Sequence, residues 1–110
     1  MIALQEAMSR LAGSNGDRSV KLFEHGSLEV KMYAPRGVDP QQPHSQDEIY
    51  IIAQGSGEFI IEGKRDKIKT GDFLFAPAGV VHRFENFSND FFTWVMFYGP
   101  DGGEVPGKKT

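Results

Sequence analysis

An all-β barrel or sandwich with one short N-terminal helix is the architecture the sequence predicts. Short segments rich in aromatic and β-branched residues recur along the chain, with turn residues between them, as in sandwiches and barrels. Gly is frequent at 13 residues and Phe at 9, which supplies turns and strand-forming aromatics. The one stretch of helical period lies at the N-terminus and is too short to stand alone.

Residues 2–12 place Leu4, Ala7, Met8 and Leu11 at i, i+3, i+4 and i+7, which predicts a helix within 1–13. Gly13-Ser14-Asn15-Gly16 stops it. A strand is expected over Ser19–Glu24, with a turn at His25-Gly26. Leu28, Val30 and Met32 then alternate with Glu29, Lys31 and Tyr33, a half-buried strand. Pro40 and Pro43 forbid a central strand in the loop that follows. Glu48–Gln54 is apolar on both faces, as a buried strand is. Gly55-Ser56-Gly57, Gly63-Lys64 and Thr70-Gly71-Asp72 are turns separating Glu58–Glu62, Arg65–Lys69 and Phe73–Ala76. His82–Phe87 and Phe92–Tyr98 complete the series. The barrel therefore occupies 18–98, and the Gly-, Pro- and charge-rich tail 99–110 is expected to be loose.

The 110 residues fit a single domain, which buries roughly two-thirds of the surface its unfolded chain exposes. The sequence holds no cysteine, so disulfides and thiolate metal sites are excluded and any metal sits on imidazole, carboxylate or amide oxygen. A net charge of −3 argues against nucleic acid as a partner. Lys64, Arg65, Lys67 and Lys69, interrupted by Asp66, read as a solvated hairpin face. No apolar run is long enough for a membrane helix. Glu6 and Arg10 interrupt the N-terminal apolar residues where a signal peptide needs an unbroken run, so a cytoplasmic location is expected.

The chain has 3 histidines. His25 reads as an exposed turn residue. His44 and His82 sit beside turns or strand ends, with polar neighbours at even spacing. Gln42 and His44 are two apart, so in an extended segment they share a side. Glu48 lies four residues beyond His44, about 13 Å away on a straight strand. Ser45-Gln46-Asp47 must bend the chain if the two are to meet. Spacing alone leaves the pair of histidines open to structural readings.

The segment Gly71-Asp72-Phe73-Leu74-Phe75-Ala76-Pro77-Ala78-Gly79-Val80-Val81-His82-Arg83-Phe84-Glu85-Asn86 resembles the second cupin motif at every fixed position. Gln42-Pro43-His44, three residues, Glu48, six residues and Gly55 resemble the first. The two motifs and their linking hairpin span about half the chain. The resemblance implies a cupin barrel, the double-stranded β-helix or jelly roll. It implies one divalent metal ion (Fe, Mn, Ni, Zn or Cu) on His44, Glu48 and His82. Gln42 stands where the family has its first histidine, and an amide is a weaker, neutral donor. Two histidines and a carboxylate are also the facial set of non-haem iron oxygenases. A barrel that kept the motif for packing and lost its metal is the alternative. Pro77 and the motif glycines Gly71 and Gly79 read as turn residues.

Strand parity extends this site. If Glu48 points inward, so do Tyr50 and Ile52; if His82 does, so does Phe84, with Asn86 at the same parity. On the last strand, Trp94, Met96 and Tyr98 form one face and Val95 and Phe97 the other, and the period does not choose between them. Trp94, Met96 and Tyr98 join Tyr50 and Phe84 as the expected ligand pocket. The resemblance thus points to a metal-dependent enzyme, dioxygenase-like or otherwise, acting on a small organic molecule inside the barrel. The rival is a binding or sensor module that catalyses nothing. Tyr50, with an ordinary pKa near 10, is a weak candidate for proton transfer. The resemblance also implies a homodimer. The helix stripe and the strand Leu28–Tyr33, expected near a sheet edge, add two further reasons for one.

Overall fold

The computed structural model of the chain describes residues 1–105. Helix α1 covers Leu4–Ala12. It is followed by β1 (Ser19–His25), β2 (Leu28–Tyr33), β3 (Asp47–Gln54), β4 (Ser56–Ile61), β5 (Lys64–Lys69), β6 (Phe73–Ala76), β7 (His82–Glu85) and β8 (Phe92–Tyr98). Every expected strand is present, with ends shifted by at most two residues. The strands form two antiparallel sheets, β1-β2-β8-β3-β6 and β5-β4-β7.

The core lies between the sheets. Tyr50, Ile52, Ala76, Val95 and Phe97 from the larger sheet meet Phe59, Ile68 and Phe84 from the smaller one, with Phe91 closing the end. Its aromatic rings pack edge to face or tilted: Tyr50 to Phe84 at 4.9 Å between centroids, Phe84 to Phe91 at 5.0 Å and Phe59 to Phe84 at 5.3 Å. Such geometry aligns ring edges with facing π clouds. β3 is central in its sheet, paired by β8 and β6; one face meets the core through Tyr50 and Ile52, and on the other Ala53 packs against the helix cluster.

A second cluster lies outside the larger sheet. Ala7 and Leu11 of α1 are buried on Leu22, Met32 and Ala34, with Trp94 and Val20 packed beside them. Leu4 remains exposed and Met8 only half-buried, so the stripe is narrower than its period suggests. The helix therefore docks on its own barrel, and one of the features pointing to a homodimer is satisfied within the chain. The expected edge strand, β2, lies second in its sheet; the edges are β1 and β6.

Docking the helix there inverts β2. Val30 and Met32 pair with Met96 and Trp94 on the outer face, whereas Lys31 and Tyr33 oppose Val95 and Thr93 on the inner one. The charged face of the alternation thus points into the barrel mouth. The tail also departs from expectation. Gly99 N–H donates to Ser27 Oγ at 3.0 Å, Gly102 N–H to the Ser45 carbonyl at 2.6 Å and Glu104 N–H to Asp47 Oδ2 at 2.9 Å. These bonds tie 99–104 to the β1–β2 turn and to the start of β3; residues 106–110 lie outside the described residues.

Gly55 turns β3 into β4 at φ +87°, and a Cβ there would meet Ser88 Oγ and lie 3.0 Å from Phe91 Cα. Gly63, in the next hairpin, has φ +78° but open space around it. Gly55→Ala should cost about 3 kcal/mol of stability and Gly63→Ala about 1 kcal/mol. Equilibrium denaturation of both variants checks the difference.

Candidate functional site

β3 carries Glu48, Tyr50 and Ile52 on one face, all at most 1% exposed. β7 brings His82 and Phe84 to the same interior, at 4% and 1%. His44 arrives from the loop before β3, its carbonyl held by Gly79 N–H at 2.8 Å. Its ring stands edge-on to Phe97 at 4.6 Å between centroids. Ser45 and Gln46 bend the chain between His44 and Glu48, as turn chemistry requires.

His82 Nε2 lies 2.9 Å from Glu48 Oε1, and His44 Nε2 lies 3.9 Å from the same oxygen. Both Glu48 oxygens are buried without an aligned hydrogen-bond donor. The reason is the orientation of His82. Its Nδ1 lies 2.8 Å from the Val80 carbonyl, which can only accept, so Nδ1 carries a hydrogen. In the neutral ring Nε2 is then a lone pair, directed at Tyr50 Oη at 3.0 Å and off-axis from the carboxylate beside it. Two acceptors at 2.9 Å repel unless a cation, either a proton or a metal ion, lies between them.

Both protons and metals fit this place. Burial lowers the His82 pKa, but the Glu48 carboxylate, the Val80 carbonyl and Asp39 outweigh it, so the net shift is upward. For a metal, two ligand atoms about 2.1 Å from one ion in octahedral geometry stand about 3 Å apart, matching the His82–Glu48 spacing. The third donor is farther out, with the His44 and His82 ring centroids 6.2 Å apart. Among the described residues no three His, Asp or Glu side chains close around one ion. The donor chemistry fits, and His44 must move inward for the set to close.

Behind these groups runs a network the sequence did not suggest. Asp39 is 7% exposed. Its Oδ2 accepts from Phe84 N–H at 2.7 Å and from Gln41 Nε2 at 2.6 Å, and its Oδ1 accepts from Tyr33 Oη. With its NH₂ on Asp39, Gln41 presents Oε1 to Tyr50, whose hydroxyl donates across 2.7 Å. Burial raises the Tyr50 pKa well above the ordinary value, reinforced by Glu48; burial and then Asp39 raise that of Tyr33. Both phenols therefore stay protonated and serve as fixed donors. This removes Tyr50 as a base near neutral pH.

A cavity of about 220 Å³ opens beside this centre, with buried Glu48 at its inner end and Tyr33, Gln41, Val95 and Phe97 in its walls. A family model described as a cupin domain matches residues 30–98, from β2 to the end of β8. The chain is a cupin. An uncharacterized protein of Streptomyces coelicolor is 28% identical over 100 residues, covering 89% of this cupin and 94% of that protein. Acireductone dioxygenase 4 of Oryza sativa is 42% identical over 60 residues, or 50% of this cupin and 33% of that protein. The crystal structure of DMSP lyase DddQ from Ruegeria pomeroyi superposes with a TM-score of 0.65 at 29% identity. That match covers 79% of this cupin and 50% of the lyase chain. The cupin thus spans a third to a half of the two named enzymes.

Several expected site residues fall elsewhere. Gln42 is exposed, and its neighbour Gln41 enters the cavity instead. Side-chain alternation holds only on regular strand backbone, and two prolines interrupt the segment from Pro40 to His44. On β8 the inward residues are Thr93, Val95 and Phe97. Trp94, Met96 and Tyr98 point outward, where Trp94 packs against the helix cluster. Asn86 leaves the β7 parity at φ +51° and donates to Glu58 Oε1 at 2.5 Å. Asp39 had one legible signal: an Asp before Pro in a loop commonly bonds nearby backbone. Its bond to Phe84, 45 residues away, had none.

Asp39→Ala would leave the buried Phe84 N–H without its acceptor and free both Gln41 and Tyr33. A loss of about 2–4 kcal/mol is expected, because stranded buried donors carry their full desolvation cost. Denaturant unfolding measures it.

Proposed function

We propose that this cupin holds one divalent metal ion between His82, Glu48 and His44 and acts on a small organic molecule admitted to the adjoining cavity. The observation that carries this reading is the buried Glu48 carboxylate, which lies 2.9 Å from His82 Nε2 and has no aligned donor. When bound there, a metal supplies Lewis acidity or a site for oxygen. The protein's own groups do the rest. The Val80 carbonyl fixes the His82 tautomer, a device that commonly orients metal-binding histidines. Phe97 and Val95 exclude water from one wall, and Tyr50, its hydrogen committed to Gln41, holds its hydroxyl oxygen fixed beside His82. The likeness to a dioxygenase over half the chain supports a dioxygenase-like reaction, with other metal-dependent chemistry as the broader class.

A non-catalytic binding cupin is the second reading. The phenols favour it: both are held as donors, so neither can take a proton near neutral pH. Turnover would then have to rely on the metal and the histidines alone.

His82→Ala should abolish metal retention while the protein stays folded by circular dichroism. Gln42→Ala should leave it unchanged, since that side chain is exposed. Elemental analysis of protein purified without chelator decides this, and equal metal in wild type and His82→Ala sinks the site. The metal should also be lost in mild acid. A raised His82 pKa means that the metal-free ring binds its proton more tightly than free histidine does. Protons therefore compete with the metal from a higher pH than they would at an ordinary histidine, and the apparent affinity falls as the pH drops. Metal content that stays level from about pH 8 to about pH 4.5 contradicts histidine ligation.

The homodimer is likewise a proposal, now resting on the open edges β1 and β6. Phe23 on β1 and Phe73 on β6 are 50% and 61% exposed. Light scattering should give twice the 12.2 kDa chain mass, and a monomer mass throughout a dilution series contradicts it.

A further inference from the structure

Lys31 is the cationic side chain among the described residues that line the cavity, and Glu48 is the carboxylate. Lys31 faces inward because β2 is inverted, with its apolar Val30 and Met32 on the outer side of the sheet. A charge inside a barrel needs a reason. Inward lysines protect sheet edges from unwanted pairing. That explanation does not apply here, since β2 is paired on both sides, by β1 and by β8. Within the chain two weak contacts hold it, a cation–π contact and an ion pair. The ammonium group sits 5.9 Å from the centre of the Phe97 ring. Its ion partner Glu29 lies 3.5 Å away, and both side chains are 32% exposed, so the pair is weak and open to a competitor.

We infer that the cavity takes a small organic acid, its carboxylate held by Lys31 and its body lying along Phe97 and Val95. A second, neutral oxygen would point inward to the histidine–Glu48 centre. That last point rests on the metal reading above; the Lys31 anchor does not. The orientation follows from charge. Without a metal the inner end holds a buried carboxylate, which repels a second anion, whereas Lys31 attracts one; a bound metal would compete with Lys31 for the acid, and zinc is therefore varied in the test below. Tyr33 cannot substitute as the anchor because its hydroxyl is committed to Asp39. Size limits the ligand too. About 220 Å³ falls below the roughly 300–1,000 Å³ of sites for drug-sized molecules, which favours a short acid.

Benzoate and its neutral isostere benzamide are suitable probes, titrated calorimetrically into wild-type, Lys31→Arg and Lys31→Met protein. Each protein is measured after chelator treatment and again with zinc, and its unfolding midpoint is recorded to confirm folding. Wild type and Lys31→Arg should prefer benzoate by about tenfold or more, the effect of one charge-assisted hydrogen bond. In Lys31→Met the preference should fall to about one while benzamide binding is retained. A preference that survives Lys31→Met, or no preference in wild type, overturns the anchor. If it survives and also requires zinc, the carboxylate sits on the metal: the anchor falls and the metal reading stands. A Lys31-dependent preference in protein that retains no zinc establishes the anchor and counts against the metal reading.

Discussion

A carboxylate inside an aromatic core has to be compensated, and the architecture of this barrel follows from where that compensation comes. Glu48 sits at 1% exposure in the central strand of the larger sheet. An uncompensated ion there costs several kcal/mol even after relaxation. His82 is the nearest partner, and its ring is held so that Nε2 lies 2.9 Å from a carboxylate oxygen. A proton in that gap makes an ion pair, and a metal ion makes a binding centre. The two compete for the same lone pair, so what raises the His82 pKa also sets how strongly protons oppose a metal.

Rigidity around this pair comes from Asp39, outside the barrel strands. It ties the start of the 39–44 loop to the β7 backbone through Phe84 and fixes the Gln41 amide, which in turn holds the Tyr50 hydroxyl beside His82. Tyr33, on the cavity wall, is tied to the same carboxylate. One buried acid thus orients two phenols on either side of the centre. Satisfied networks of this kind specify a single arrangement, because every alternative rotamer strands a buried polar group.

The sequence revealed the strands, the turns and the Glu48–His82 pair because each depends on local period or on motif spacing. Parity read correctly along β3 and β7, where regular backbone carries it: Glu48, Tyr50 and Ile52 all point inward, as do His82 and Phe84. It failed where regularity ends, at the proline-flanked Gln41 and Gln42 and at Asn86. On β8 both faces are apolar, so hydrophobicity could not say which one meets the helix. The order in the tail was hidden for a different reason. Gly99–Glu104 has the composition of a loose segment, yet its amides find acceptors on Ser27, Ser45 and Asp47, contacts only the folded barrel brings near.

The short helix and the cavity share one cause. A sheet in a sandwich ordinarily turns its apolar face to the core and its polar face to water. Here Met32 on β2 and Trp94 on β8 face outward and need cover, and Ala7 and Leu11 of α1 provide it. With that outer apolar surface covered, the inner face of β2 is free to carry Lys31 and Tyr33. Tyr33 packs against the edge of the core, and Lys31 suits a wall open to a small ligand. The helix thus covers the apolar side of β2, while the cavity receives its polar side.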